Sequence, residues 1–158
     1  MKKMFLLSTF FLSSLLLCLS GLAQQKPNKD YDSTLAKKLG ADERGMKMYV
    51  LAILKSGTAT GLTQQQRDSI FAGHFKNINR LAKEGKLLTA GPLEDNSQNY
   101  AGIYVFNVST IEGGKQLVAT DPAVQARVFD FDMFLWYGTA AMLQLPEIHT
   151  HIHKYAFE

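Results

Sequence analysis

Cysteine is almost missing from this sequence, since Cys18 is the single one among 158 residues. Proline is scarce as well, with four residues, and no stretch concentrates Lys and Arg, although the formal net charge is +3. A lone cysteine excludes an intrachain disulfide framework and a thiolate metal site. The lack of a basic cluster argues against binding to nucleic acid, because that binding depends on concentrated phosphate neutralisation.

The first 23 residues have the pattern of a cleavable secretory signal peptide. Lys2 and Lys3 supply a positive start, an apolar run follows over 5–19, and small residues precede a cleavage site after Ala23. The run is short for a transmembrane span, which needs about 20 residues. An uncleaved anchor and a lipoprotein modified at Cys18 are the alternatives, and the bulky Leu17 disfavours the second. We therefore expect a secreted or periplasmic protein with no stable membrane anchor after cleavage, a formal charge of about +1 and no cysteine.

The remainder of the chain has the length of one globular domain. A polar leader with a short helix is expected over 24–46, the domain itself over 47–143, and a histidine-containing tail over 144–158. In the leader, Asp32 or Ser33 would cap a helix that ends before Gly40.

Short apolar runs and capping signals predict the element order β-α-β-β-α-β. Strands are expected over 48–54, 87–90, 103–108 and 128–137, the second broken by Gly91-Pro92 and the last ended by Gly138. Thr63 and Gln66 form a capping box for a long helix that reaches about Glu84. This order is the α+β, ferredoxin-like arrangement.

A second capping box, Ser109 with Glu112, is expected to open the other helix. The Gly113-Gly114 pair inside it should weaken that helix by about 1 kcal/mol per residue relative to alanine. Helices can cover one face of such a sheet, yet the strands look apolar on both faces. The pattern therefore predicts a homodimer in which two sheets pack against each other.

Five ordered segments also carry a family resemblance. They are YVLAILK at 49–55, GHFKNINRLAKEGKLLTAGPL at 73–93, GIYVF at 102–106, VATDPAVQA at 118–126 and WYG at 136–138. In this order and spacing they resemble the YciI-like, or YCII-related, family. The resemblance implies a dimeric α/β-barrel and a candidate active site formed by a His and an Asp, which fall on His74 and Asp121. One branch of the family is associated with dehydrochlorination of a chlorinated hydroxylated aromatic.

His74 lies at the centre of the apolar face of the long helix, and Asp121 precedes Pro122 at the start of a short one. We hypothesise that His74 is a general base or acid which Asp121 orients, in elimination or isomerisation of a small, aromatic or enol-like molecule, without an organic cofactor. A core histidine and a plain helix cap are the structural alternatives. The alternative function is a non-catalytic dimeric domain that binds a small ligand.

Three further residues are candidates for substrate binding. Arg67 lies two turns before His74 on the same stripe and could bind an anionic group, unless it is an ordinary solvated arginine. Trp136 and Tyr137 could form pocket walls, although aromatic strand residues more often belong to a core or an interface.

The tail offers a weaker metal-binding alternative. His149, His151 and His153 alternate in phase with Glu147, so on a strand all four would share one face. Two such histidines can bind one Zn²⁺, and the structural alternative is a polar strand face.

Overall fold

A computed structural model describes residues 28–154. The predicted signal peptide, including Cys18, lies outside the described residues. Residues 28–32 belong to a separate compact unit and form a turn, and everything below concerns the unit that begins at Ser33. Within 28–154, no helix is both long and apolar enough to cross a membrane.

The second unit contains four strands, five α-helices and one 3₁₀ helix within the described range. In chain order they are α1 (Ser33–Leu39), β1 (Met46–Ser56), α2 (Gln64–Lys83), β2 (Leu87–Pro92), β3 (Tyr100–Phe106), α3 (Ile111–Val118), α4 (Pro122–Gln125), β4 (Phe129–Thr139), the 3₁₀ helix (Ala140–Gln144) and α5 (Leu145–Ile152).

The four strands form one antiparallel sheet in the order β2-β3-β1-β4. β1 lies inside the sheet and pairs with β4 along its whole length, from Met46 opposite Thr139 to Ser56 opposite Phe129. Together with the helices between β1 and β2 and between β3 and β4, this order is the ferredoxin-like α+β fold predicted from the sequence.

Each face of the sheet carries its own apolar cluster. The main core lies between the sheet and the helices, and its buried members include Val50, Leu54, Leu81, Tyr104 and Phe106. On the opposite face, Tyr49, Leu88 and Val105 are buried, and Met142 and Leu143 of the 3₁₀ helix pack against them. The second face is therefore partly covered by the chain's own C-terminal region, which the strand pattern did not predict.

Two predicted helix starts have different outcomes. The Thr63–Gln66 capping box is present, with reciprocal bonds of 3.2 and 2.8 Å between side chains and backbone. The Ser109–Glu112 box is wrong by one residue: Thr110 is the cap, and its hydroxyl accepts the Gly113 N–H at 3.1 Å. Thr110 has the extended backbone that an N-cap needs (φ −131°, ψ 146°), whereas Ser109 lies outside the helix.

The expected break at Gly91-Pro92 is also wrong, because β2 continues through both residues. Proline is tolerated there since β2 is an edge strand, so a missing N–H can face away from the neighbouring β3. Likewise Gly138 stays inside β4, paired with Lys47.

The tail forms helix α5, so the strand on which the three histidines and Glu147 would share one face is not present. Pro146 occupies the first turn, where a missing N–H costs nothing. Leu145, Ile148 and Ile152 recur at helical spacing and line one cavity with α2 and β2. Packing of this apolar stripe favours a helix, although the histidines alternate at the two-residue spacing of a strand.

Candidate active site

Helix α2 presents His74 to the sheet. His74, Asn77 and Leu81 are its buried residues, at three- and four-residue spacing, so they form the face that packs on the core. His74 is 7% exposed. The imidazole of His74 therefore lies on the face of α2 that packs against the core, whereas the capped N-terminus of α2 lies at the surface.

Asp121 reaches the same point from the start of α4. It is the N-cap residue, its Oδ1 accepts the Ala123 N–H at 2.9 Å, and Pro122 occupies the first helical position. Close packing of the helices makes the meeting possible: a Cβ on Gly73 would lie 3.0 Å from Cγ of Pro122. A glycine beside His74 therefore lets α4 approach α2 closely.

The side chains of His74, Asp121 and Tyr104 form one buried hydrogen-bonded group. Nδ1 of His74 lies 2.8 Å from Oδ2 and 3.0 Å from Oδ1 of Asp121. The Tyr104 hydroxyl donates to Oδ2 of Asp121 at 2.8 Å and lies 3.3 Å from Nδ1 of His74. Asp121 is fully buried, so its carboxylate receives its hydrogen bonds from the protein instead of from water.

The electrostatics favour an ionised Asp121. Burial alone would raise the pKa of its carboxyl, but hydrogen bonds from His74, the Ala123 N–H and Tyr104 outweigh burial, and the pKa falls below its usual value. Burial, and then the charge of Asp121, raise the pKa of Tyr104. Tyr104 consequently keeps its proton at neutral pH and can donate only one hydrogen bond, which Asp121 accepts.

This arrangement fixes which imidazole nitrogen is available for chemistry. An ionised carboxylate accepts hydrogen bonds and donates none, so the proton of a neutral imidazole is held on Nδ1. Nε2 makes no hydrogen bond with any residue of 28–154, and the imidazole keeps 9% of its side-chain surface accessible. The basic lone pair is therefore on the nitrogen that points away from Asp121.

Phenylalanine rings surround the imidazole on its other sides. The ring centroids of Phe75 and Phe129 each lie 5.4 Å from that of His74, and Phe71 lies at 6.0 Å, edge-on. Phe75 is 61% exposed, so this aromatic group extends to the surface. The imidazole is therefore bordered by apolar aromatic rings, one of which reaches solvent.

A second polar group holds the α3–α4 connection against α2. Oδ1 of Asn77 accepts hydrogen bonds from Thr120 at 3.0 Å and from Arg80 at 2.8 Å, and Arg80 also donates to Thr120 at 3.1 Å. Thr120 directly precedes Asp121. These bonds restrict the position of Asp121 relative to the helix that carries His74.

The sequence predicted His74 and Asp121 but missed Tyr104 and Asn77. Tyr104 lies in the quoted GIYVF segment as an ordinary strand aromatic, and nothing local distinguishes its hydroxyl from that of Tyr100. Asn77 lies three residues after His74 on the same helical face, and a buried amide at that spacing was the available signal.

The predicted substrate-binding residues do not gather around His74. Arg67 is exposed in the first turn of α2, about 10 Å along the helix from His74, and its guanidinium makes no ion pair within the described range. Trp136 packs on Tyr49, its pairing partner on the neighbouring strand β1, with ring centroids 5.8 Å apart. Phe129 is the residue of β4 whose ring lies beside His74. Trp136 lies seven residues further along the strand, roughly 23 Å away. The Tyr137 hydroxyl donates to Asp42.

The predicted metal alternative is not supported by the tail geometry. The ring of His149 on α5 pairs with that of the C-cap residue His153 at 5.4 Å between centroids, whereas His151 lies on another side of the helix. Among residues 28–154, no group of three or more His, Cys, Asp or Glu side chains could hold a metal ion. The shared strand face that the alternative required is absent because the segment is helical.

Comparison with known proteins gives one family and several structural neighbours. No curated protein matches the sequence. Eight chains of solved structures match, among them 5-chloro-2-hydroxyhydroquinone dehydrochlorinase from Burkholderia phenoliruptrix, solved with 2,5-dihydroxybenzoquinone. The identity is 18%, the TM-score is 0.41, and the match covers 55% of this chain and 92% of the other.

The family model for the YCII-related domain matches residues 46–135, which include β1 to most of β4 and both His74 and Asp121. That range is more than half of the chain and confirms the resemblance drawn from the ordered sequence segments. The chain therefore belongs to the YCII-related domain family.

Proposed function

We propose that this protein is a cofactor-independent enzyme that uses His74 as a general base and then as a general acid on a small aromatic or enol-like molecule. The main support is the buried Asp121, which accepts hydrogen bonds from His74, Tyr104 and the Ala123 backbone, while Nε2 of His74 has no hydrogen-bond partner among residues 28–154. A structural histidine would be expected to satisfy both nitrogens, whereas here Nδ1 is hydrogen-bonded and Nε2 has no hydrogen-bond partner within the part of the chain that the structure describes.

In the proposed step, Nε2 removes a proton from a C–H or O–H group of the substrate. The electron pair left behind forms a new double bond, and a leaving group departs with its bonding pair in an elimination, or the proton returns at another atom in an isomerisation. Asp121 stabilises the imidazolium that forms, and Tyr104 holds Asp121 in place; both act through His74 as positioning residues. The phenylalanine rings would bind the flat substrate and keep water out.

Two elimination reactions test this directly. The first uses 5-nitrobenzisoxazole, whose ring opens when a base removes one C–H proton, so it reports an accessible base regardless of the natural substrate. The second follows chloride release from a chlorinated polyhydroxybenzene, the class associated with one branch of the family. We expect saturable turnover in at least one reaction, and His74→Gln should reduce kcat/KM by about 10²- to 10⁴-fold.

The matched control is His151→Ala, which removes an exposed histidine on α5 and should leave the rate unchanged. Urea unfolding of both variants at one fixed protein concentration separates lost chemistry from a lost fold, because the stability of an oligomer depends on concentration. A folded His74→Gln protein with the wild-type rate would refute the proposal. So would saturable binding of both probes without turnover, which would favour a ligand-binding domain.

We further propose that the working form is a homodimer exported through the N-terminal signal. Phe134 and Trp136 are 51% and 37% exposed on the sheet face that the 3₁₀ helix covers only in part, and a second copy is a natural cover for them. Light scattering of the protein should give twice the chain mass, and Phe134→Lys should give a monomer. A Phe134→Lys protein that is still dimeric would contradict the proposed dimer.

The proposed export has its own test. Mass spectrometry of the exported chain should show a start at Gln24, and an intact N-terminus would contradict cleavage of the signal.

A further inference from the structure

A cavity of about 460 Å³ lies away from His74, between the second half of α2, the edge strand β2 and helix α5. Neither His74 nor Asp121 lines it. The volume falls within the range of small-molecule sites, about 300–1,000 Å³. Its outer wall is α5, which contributes no residue to the hydrogen-bonded group of His74, Asp121 and Tyr104.

Each of the three sides contributes mainly apolar side chains to the lining, beside the uncharged polar residues Asn79, Thr89 and Thr150. The main apolar contributors are Ile78 and Ala82 from α2, Leu87 and Leu88 from β2, and Leu145 and Ile148 from α5. Leu87 and Leu88 are buried members of the two apolar clusters, so the floor of the cavity is part of the folded core. Leu145 and Ile148 are 41% and 53% exposed, so the outer wall presents apolar surface that a ligand could cover.

The charged groups of the lining have one sign. Lys83 lines the cavity, and no Asp or Glu contributes to it. The ammonium of Lys83 makes no ion pair with any residue of 28–154, whereas neighbouring Glu84 is paired with Arg80 and Lys86 and so is directed elsewhere. An apolar cavity with a cation at its edge and no carboxylate complements a molecule with an apolar body and one anionic group.

We propose that this cavity is a second ligand site, which binds a small amphipathic carboxylate with its apolar body between α2 and α5 and its carboxylate at Lys83. The site is separate from the proposed acid–base chemistry, and either proposal can fail without the other. Because α5 forms its outer wall, a bound ligand would also hold the C-terminal helix against β2.

Isothermal titration calorimetry of the exported protein with decanoate tests the site. The neutral control is 1-decanol, which has the same chain length. We expect one decanoate per chain, and weaker binding of decanol. Lys83→Gln should weaken decanoate about three- to ten-fold, as expected for one partly exposed charge pair. Lys76→Gln, which removes an exposed lysine of the same helix outside the cavity, should bind like wild type.

A second variant, Ala82→Trp, fills the cavity and should abolish decanoate binding while leaving turnover at His74 unchanged. Circular dichroism checks its fold, and the two lysine variants decide the matter if it does not fold. No binding by wild type, or equal binding by Lys83→Gln and Lys76→Gln, would overturn the proposal. It would equally be overturned if Ala82→Trp lowered the oligomeric mass without ligand, because the cavity would then be a contact between copies.

Discussion

Nδ1 of His74 lies 2.8 Å from Oδ2 of Asp121, although 47 residues separate them in the chain. One side chain comes from the middle of a long helix and the other from the cap of a four-residue helix. The pair exists because α2 and α4 pack against each other where Gly73 faces Pro122. The proposed chemistry depends on this contact.

Asp121→Asn should leave the fold in place but lower kcat/KM for the elimination probes by about 10²- to 10⁴-fold. The amide can donate a hydrogen bond to Nδ1, which would move the imidazole proton to Nε2 and remove the base. Steady-state rates measure the loss, and circular dichroism confirms folding. An Asp121→Asn protein with the wild-type rate would mean that the carboxylate does not orient His74.

Acid stability should depend on Asp121. Its pKa in the folded state lies below the usual 3.8, so its contribution is fully present above about pH 4 and is lost as the pH falls through the folded-state value. Urea unfolding between about pH 5 and pH 2.5 should show a shallower pH dependence in Asp121→Asn than in wild type. Tyr104→Phe removes one hydrogen-bond donor to Asp121, so its pH dependence should be intermediate between those of the two proteins. At neutral pH its free energy of unfolding should be about 1–3 kcal/mol lower than that of wild type. The same pH dependence of unfolding in all three proteins would contradict a lowered pKa of Asp121 in the folded state.

Gly73→Ala should reduce activity more than stability. The new Cβ would lie 3.0 Å from Cγ of Pro122, which must therefore move away slightly, and we expect α4 to follow and the His74–Asp121 contact to lengthen. Alanine also favours the helix by about 1 kcal/mol, which offsets part of the strain. We expect about a ten-fold lower rate with an almost unchanged urea midpoint. The control is Ala72→Ser on the exposed side of α2, and equal rates in the two variants would exclude a positioning role for this contact.

The two glycines of α3 should respond oppositely to alanine. A Cβ on Gly114 would lie 2.7 Å from Cγ1 of Val50 and 3.2 Å from Sδ of Met133, so Gly114→Ala should destabilise the protein by about 1–3 kcal/mol. Gly113 has more room, with Oγ1 of Thr110 at 3.1 Å, so Gly113→Ala should be neutral or stabilising by up to about 1 kcal/mol. Chemical unfolding of the pair measures both; a stabilising Gly114→Ala would show that α3 can move away from the sheet.

Local signals predicted the elements that carry the site, and failed where packing decides. The Thr63–Gln66 box and the Asp121-Pro122 start were readable because a cap acts over three residues. The sequence suggested that Gly113-Gly114 merely weakens a helix, whereas in the structure Gly114 allows close contact with Val50. The tail was misread because the alternating histidines hid a helical stripe whose partners, α2 and β2, are distant in sequence.

The sequence by itself determined the order of strands and helices as far as β4, the ferredoxin-like class, the family, and the candidates His74 and Asp121, since periodicity, caps and ordered segments can be read along the chain. Only the tertiary structure decided that Tyr104 completes the pair, that Arg67, Trp136 and Tyr137 lie elsewhere in the single chain, and that α5 forms the wall of a second cavity. Those facts depend on how closely two elements approach, and the distance between elements is set by packing of side chains that no local pattern brings together.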